Sequence, residues 1–182
     1  NLIKCISLVR TFRKLNIHTP IILMGYYNPI YKFGKEKFIE LCLNCGVDGL
    51  IIVDLPPEED EEFYVEAEKN KLSIIRLVTP TTDEKRLNKI LFNATGFVYY
   101  VSITGITGTQ APNIENVSKN LEKIKSVTDL PVVIGFGIRS PSQALSMANI
   151  SDGIVVGSAV VDLIKSSLDK DDNPTKNTLN SC

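Results

Sequence analysis

The sequence predicts an α/β protein with a parallel sheet, and the alternation of two patterns carries that prediction. Short apolar runs, each suited to a strand buried on both faces, alternate with segments whose apolar residues recur at helical spacing. Six such strand–loop–helix units follow a lone helix, and repeated units imply parallel strands with right-handed crossovers. Because a closed (β/α)8 barrel takes roughly 250 residues, we expect a TIM barrel truncated to six units, its strands three to eight. An open doubly wound sheet is the alternative.

The predicted strands are continuous apolar stretches that end in small or polar residues. They lie at 21–25, 49–53, 73–78, 96–101, 131–135 and 152–156. Two of them have similar sequences, since an Asp-Gly pair leads into the apolar residues at both 48–49 and 152–153. This similarity favours a repeated structural unit.

The predicted helices carry apolar residues three and four positions apart. The stripes comprise Leu2, Ile6, Val9 and Phe12; Phe38, Ile39, Leu41, Cys42 and Cys45; Leu87, Ile90 and Leu91; and Ile114, Val117, Leu121 and Ile124. Gly46 should end the second of these helices. The acidic run at 58–62 should begin another, because negative charge favours a helix N-terminus.

Local signals also predict where chain segments turn. Thr81 with Glu84, and Ser140 with Gln143, have the spacing of capping boxes at helix starts. Residues 26–29 are expected to form a loop after the first strand.

Composition and charge are those of an ordinary globular protein. The 182 residues are 43% hydrophobic and 23% charged, and the formal net charge is −1. A nearly balanced charge argues against nucleic acid or a membrane surface as the main partner, and no apolar run approaches the length of a membrane span. We expect one domain over 1–168 and a polar tail over 169–182. The start at Asn1, directly in a helical pattern, indicates a fragment.

The cysteines favour buried thiols over a metal or redox centre. Cys42 and Cys45 have the spacing of a ligand pair, but no second pair follows, and His18 is the single histidine. The pair also lies within a predicted helix, so we interpret both as core thiols and expect no metal. Unpaired thiols fit a reducing cytoplasm.

Three successive strand ends are rich in glycine, which lets a backbone approach a ligand closely. They carry Gly105 and Gly108, then 135–137, then Gly157 with Ser158. The last pair opens a helix, where free N–H groups and the helix dipole favour an anion. In barrels, phosphate frequently binds at the loops after strands seven and eight. We therefore predict a phosphate site; tight turns without a ligand are the alternative.

Other strand ends offer few catalytic side chains. Asp54 is a candidate general base, an anchor for a polar substrate edge, or a cap for the helix after the proline-rich turn. Tyr26 and Tyr99 are candidates to line a pocket for a flat organic group, although tyrosines at such positions are as often core. Since no pair of carboxylates emerges at the strand ends, the sequence indicates a binding site more clearly than a catalytic one.

Five motifs, in this order, resemble the tryptophan synthase alpha subunit family. They are LMGYYNP at 23–29, GVDG at 46–49 with VDLP at 53–56, the stretch 99–108, GFG at 135–137, and GSA at 157–159. The resemblance covers residues 1–168 and implies a (β/α)8 barrel. It implies a lyase of tryptophan biosynthesis that cleaves indole-3-glycerol phosphate to indole and glyceraldehyde 3-phosphate. It further implies a pyridoxal-phosphate-dependent beta subunit as partner in an α2β2 tetramer, with no cofactor in the alpha chain.

The resemblance also implies a role for each matching position. The phosphate and the substrate-closing loop are assigned to Thr107, Gly108, Gly135, Phe136, Gly137, Gly157 and Ser158, and the indole pocket to Met24, Tyr26, Asp54 and Tyr99. The family's catalytic glutamate and aspartate precede the helix at which this chain begins. The expectation is therefore a fragment that lacks the first two strands, carries no catalytic residue and is inactive alone. The alternatives are a module that only binds the beta subunit, or another phosphate-binding barrel.

Overall fold

The computed structural model describes residues 1–59, 61–102, 113–135, 137–171, 173–175 and 178. Its helices are α1 (Leu2–Arg13), α2 (Tyr27–Phe33), α3 (Lys35–Cys45), α4 (Glu61–Lys69), α5 (Glu84–Phe92), α6 (Ile114–Lys125), α7 (Pro141–Ala148) and α8 (Ser158–Ser167). Its strands are β1 (Ile22–Gly25), β2 (Gly49–Ile52), β3 (Ser73–Ile74), β4 (Arg76–Val78), β5 (Val98–Val101), β6 (Val132–Gly135) and β7 (Gly153–Val155). Five of the six predicted strands are thereby confirmed, and the sixth, 73–78, is divided into β3 and β4. The acidic run also begins a helical segment, as a 3-10 turn at Pro57–Glu59 and then α4.

The described residues form two compact units. The first comprises Asn1–Val78, Thr82–Val98 and Val127–Leu130, and the second comprises Thr79–Thr81, Tyr99–Ser126 and Pro131–Cys182 as far as these are described. None of the helices in the described ranges is both long and apolar enough to cross a membrane.

The first unit contains a parallel sheet with strand order β1-β2-β3. The register pairs Ile22 with Gly49, and Gly49 in turn with Ser73. The prediction of one continuous strand over 73–78 is wrong. The pairing with β2 ends at Ile74, and a separate strand, β4, begins at Arg76. The Ile75 amide still donates to the Leu50 carbonyl at 2.9 Å, so the interruption leaves this backbone group satisfied.

The core of the first unit lies between its sheet and the helices α1, α3 and α4. Its most deeply buried members include Ile39, Cys42, Leu50, Phe63 and Ala67. The predicted stripe of α3 is confirmed, and Gly46 ends this helix in the left-handed region with φ 80°. Burial of these apolar side chains is the main stabilising contribution in this unit.

The predicted loop at 26–29 is wrong, because α2 begins at Tyr27. An Asp54 carboxylate oxygen accepts the Tyr27 amide at 2.7 Å and so caps this helix from 27 residues away. Pro29 lies in the first turn, where its missing N–H costs no helical hydrogen bond. A cap supplied from so far along the chain leaves no local sequence signal.

The two predicted capping boxes have different outcomes. Thr81 does not cap α5; Asp83 does, since its carboxylate accepts the Arg86 amide at 2.7 Å. An Asp directly before the first helical residue is as good a cap as threonine or better. Ser140 is confirmed as the cap of α7, with its hydroxyl accepting the Gln143 amide at 3.3 Å.

The similar Asp-Gly sequences have a shared structural role, which begins with Asp48 in the first unit. Its carboxylate accepts the Ile21 amide at 2.7 Å and an Arg13 guanidinium nitrogen at 2.6 Å. The Asp48 amide donates back to the Ile21 carbonyl at 2.9 Å. Asp48, directly before β2, therefore fixes both Ile21, which precedes β1, and Arg13, the last residue of α1.

Asp152 repeats this arrangement in the second unit. One carboxylate oxygen accepts the Val132 amide at 2.8 Å and the other accepts the Lys125 ammonium at 3.0 Å. The Asp152 amide donates back to the Val132 carbonyl at 3.1 Å. The Val132 amide, and after it Lys125, lowers the pKa of Asp152 below its usual value. We call each of these groups of three residues an aspartate clamp.

In the second unit β5, β6 and β7 lie in that order, and β6 and β7 are parallel. The unit buries Tyr100, Val117, Leu121, Ile124 and Ile134 between these strands and their helices. Within the described structure, no side chain of α8 is buried. In the expected tail, Leu168 bridges to Pro174, and the Thr175 hydroxyl donates to the Ser167 carbonyl at 2.6 Å.

Candidate functional site

Eleven residues were assigned to substrate binding from the sequence, and eight of them lie in the described structure. Thr107, Gly108 and Phe136 fall outside the described residues. Met24, Tyr26 and Asp54 belong to the first unit, whereas Tyr99, Gly135, Gly137, Gly157 and Ser158 belong to the second.

An apolar cavity of about 280 Å³ opens in the first unit beside the end of β1. Met24 and Tyr26 line it, as do Ile51 and Ile52 from β2. Met24 and Tyr26 are 55% and 64% exposed, so both side chains are accessible to a ligand. A mostly apolar pocket with few polar groups suits a flat aromatic ring.

Asp54 follows β2 and is exposed. The hydrogen bond from the Tyr27 amide makes Asp54 a helix cap, as one sequence interpretation proposed, but for α2 and not for the helix that follows it. This contact fixes one carboxylate oxygen next to Tyr26, the N-cap residue of α2. Asp54 is thus held by backbone geometry at the edge of a segment that lines the apolar cavity.

Tyr99 lies against the end of β6 in the second unit. It is 6% exposed, and burial raises the pKa of its hydroxyl. A Cβ added to Gly135 would lie 2.1 Å from the Tyr99 hydroxyl oxygen and 2.3 Å from ring carbon Cε2. Only glycine therefore fits at position 135 while the tyrosine ring keeps its place. A residue assigned to the indole pocket and one assigned to phosphate are in contact here.

Gly137 and Gly157 are the other described glycines that the resemblance assigns to the phosphate. Gly137 adopts φ 80°, a left-handed conformation that favours glycine. A Cβ added at Gly157 would meet no atom of the described residues within 4 Å. Gly157 is the N-cap residue of α8, and no side-chain hydrogen bond caps this helix start among the described residues. Ser158 follows as the first helical residue and is exposed. A helix N-terminus with exposed N–H groups favours an anion.

The two cysteines within α3 are core residues, as predicted. Cys42 is fully buried, and this burial raises the pKa of its thiol to about 12. The Cys45 sulfur accepts a hydrogen bond from Arg10 Nε at 3.1 Å. Among the described residues, no group of three or more histidine, cysteine or acidic side chains is arranged to hold a metal ion.

One polar side chain that the sequence assignments omitted stands out. Ser102 is 8% exposed, and both its amide and its hydroxyl donate to the Gly135 carbonyl, at 3.1 and 3.0 Å. In the sequence, the one signal for Ser102 is its position as the first polar residue after the apolar run of β5.

Comparison with known proteins identifies consistent similarities. The family model for the tryptophan synthase alpha chain matches residues 1–182. A tryptophan synthase subunit alpha from Legionella pneumophila is 36% identical with a TM-score of 0.82, over 92% of this chain and 61% of that one. A structure from Aquifex aeolicus is 40% identical with a TM-score of 0.78, over 87% of this chain and 59% of that one. A tryptophan synthase α2β2 complex from Pyrococcus furiosus provides a match of 35% identity and TM-score 0.80, over 92% and 67%.

These similarities confirm the predicted fold class. Parallel strands alternating with helices match (β/α)8 barrels of the alpha-chain type, and the open-sheet alternative is set aside. This chain spans 61% and 59% of the lengths of the Legionella and Aquifex chains.

Proposed function

Because this chain belongs to the tryptophan synthase alpha chain family, we propose that the whole protein cleaves indole-3-glycerol phosphate to indole and glyceraldehyde 3-phosphate. The family match over residues 1–182 is the observation that carries the proposal. The same family match argues against membership of another family of phosphate-binding barrels. The protein acts in tryptophan biosynthesis as a lyase, and the cytoplasm is its proposed location.

The cavity of the first unit supports binding of the indole ring. Its lining is mostly apolar, and Met24 and Tyr26 offer accessible, polarisable or aromatic surface to a flat ring. Next to the lining residue Tyr26, the Tyr27 amide holds one carboxylate oxygen of Asp54. We assign Asp54 to hydrogen bonding with a polar edge of the substrate, since a carboxylate oxygen accepts hydrogen bonds.

The glycine-bordered strand ends of the second unit support binding of the phosphate. The start of α8 presents backbone N–H groups beside Gly157, and a Cβ added there would meet no described atom within 4 Å. Gly135 and Gly137 flank the end of β6, and Tyr99 packs against the first of them. Thr107, Gly108 and Phe136, which lie outside the described residues, remain part of the proposed site.

The reaction breaks the carbon–carbon bond between indole C3 and the glycerol chain. C3 gains a proton, and the hydroxyl on the adjacent carbon loses its proton as that carbon becomes the aldehyde. Two acid/base groups must therefore face each other across the substrate. The described strand ends bring no pair of carboxylates together, so we assign these residues to binding and orienting the substrate.

The proposed partner is a tryptophan synthase beta subunit in an α2β2 tetramer. The similar Pyrococcus structure is described as a tryptophan synthase α2β2 complex. Pyridoxal phosphate is proposed for the beta subunit and no cofactor for the alpha chain. A protein that docks on the beta subunit without turnover is the alternative.

Indole release tests the proposal. The full gene product, mixed with its beta subunit, should release indole from indole-3-glycerol phosphate. Gly157→Val should raise KM, because its side chain would enter the open space at the start of α8. Ser166→Val adds similar bulk near the other end of the same helix and should leave KM unchanged. Complex formation without indole release would favour the docking-only alternative, whereas neither complex nor indole would contradict the proposal.

A further inference from the structure

The carbonyl that ends β6 is held by two donors from one residue. The Ser102 amide donates to the Gly135 carbonyl at 3.1 Å, and the Ser102 hydroxyl donates to the same oxygen at 3.0 Å. The amide contact continues the backbone hydrogen bonding between β5 and β6, whereas the hydroxyl contact is an addition that any apolar residue would lack. Ser102 is 8% exposed, so little solvent is available to replace this hydrogen bond. Its loss would therefore cost the free energy of an unsatisfied buried carbonyl or hydroxyl group.

Gly135 is also restrained by the Tyr99 ring. The ring leaves no room for a Cβ at position 135, so the glycine backbone lies directly against an enclosed aromatic side chain. Tyr99 lies in β5, and Ser102 directly follows this strand. The final residue of β6 is thus fixed by ring packing and by two hydrogen bonds.

We propose that Ser102 is a positioning residue for the phosphate-binding end of β6, an inference that rests on the proposed function. The hydroxyl contact restricts the orientation of the Gly135 carbonyl, with which the described part of β6 ends. Gly137, in its left-handed conformation, follows two residues later. The Ser102 hydroxyl therefore preorganises Gly135, one of the glycines assigned to the phosphate. In this role it acts through the Gly135 backbone.

The test compares Ser102→Ala with Ser102→Thr in the full gene product bound to its beta subunit. Ser102→Ala should raise both the KM for indole-3-glycerol phosphate and the Kd for inorganic phosphate about three- to tenfold, the effect of one orienting hydrogen bond. The kcat should change less than about twofold, because the lost contact stabilises the bound substrate and the transition state equally. Ser102→Thr retains the hydroxyl and should restore both constants.

Ser151→Ala is the matched control within the same unit. The Ser151 hydroxyl donates to the Met147 carbonyl at 2.8 Å and the Gly153 carbonyl at 2.9 Å, at the opposite end of the strands. It should lower Tm as Ser102→Ala does and leave KM and the phosphate Kd unchanged. A Ser102→Ala protein with lowered Tm but unchanged KM and phosphate Kd would overturn the proposal.

The same measurements separate this inference from the proposed reaction. A wild-type protein that binds phosphate but releases no indole refutes the reaction, while the phosphate Kd of Ser102→Ala still decides the role of Ser102. A wild-type protein that binds no phosphate refutes both.

Discussion

Replacing Gly135 by alanine should destabilise the protein through a single steric conflict. The added Cβ would lie 2.1 Å from the Tyr99 hydroxyl oxygen, more than about 1 Å inside ordinary van der Waals contact. Tyr99 is 6% exposed, so its ring has little free space into which to move. Overpacking of this kind costs about 2–3 kcal/mol, which lowers the Tm of a domain of this size by roughly 4–12 °C.

Thermal unfolding of the full gene product, followed by circular dichroism, measures this effect. Gly25→Ala is the control, because Gly25 also ends a strand but a Cβ there would meet nothing within 4 Å. Its stability should stay within about 0.5 kcal/mol of wild type.

A double-mutant cycle then identifies the cause. In a Tyr99→Ala background the ring is absent, so Gly135→Ala should cost at least about 1 kcal/mol less than in the wild type. Equal costs in both backgrounds would refute the steric reasoning, as would a Gly135→Ala protein as stable as Gly25→Ala.

Three further predictions concern Asp152, the start of α5 and the cysteines. Hydrogen bonds lower the pKa of Asp152 in the folded state, so they add stability above the unfolded pKa of about 4 that is lost as pH falls through the folded value. Asp152→Asn should flatten the loss of urea-unfolding stability below about pH 5; an unchanged slope would contradict this. Asp83→Ala should cost about 1 kcal/mol in the same assay because α5 loses its cap, while Thr81→Ala should be nearly neutral. At pH 8, iodoacetamide should label exposed Cys5 in the native protein and buried Cys42 only after unfolding, as mass spectrometry of peptides would reveal.

The strand positions were predictable because a strand buried on both faces must be apolar throughout, as 49–53 and 131–135 are. Features that depend on distant residues were not. The cap of α2 comes from Asp54, and the requirement for glycine at 135 comes from the Tyr99 ring. The start of α5 was misplaced because Thr81 has the spacing of a capping box with Glu84, whereas the actual cap is Asp83, which directly precedes the helix.

The candidate site was only partly predictable for a related reason. Glycine-rich strand ends such as 135–137 indicate where a backbone is free to meet an anion. They do not reveal what holds that backbone in place. The Ser102 hydroxyl has that role here, and a serine at a strand end has many other possible partners. Roles for particular residues therefore came from the family resemblance, and those assignments stay predictions.

The aspartate clamps have a consequence for the order in which the chain folds. The contacts of Asp48 span 27 and 35 residues, and those of Asp152 span 20 and 27. Closing such short loops carries a small entropic penalty, so each clamp can form before remote parts of the chain meet. Ile21 and Val132 should consequently acquire amide protection early in refolding, as two separate nuclei.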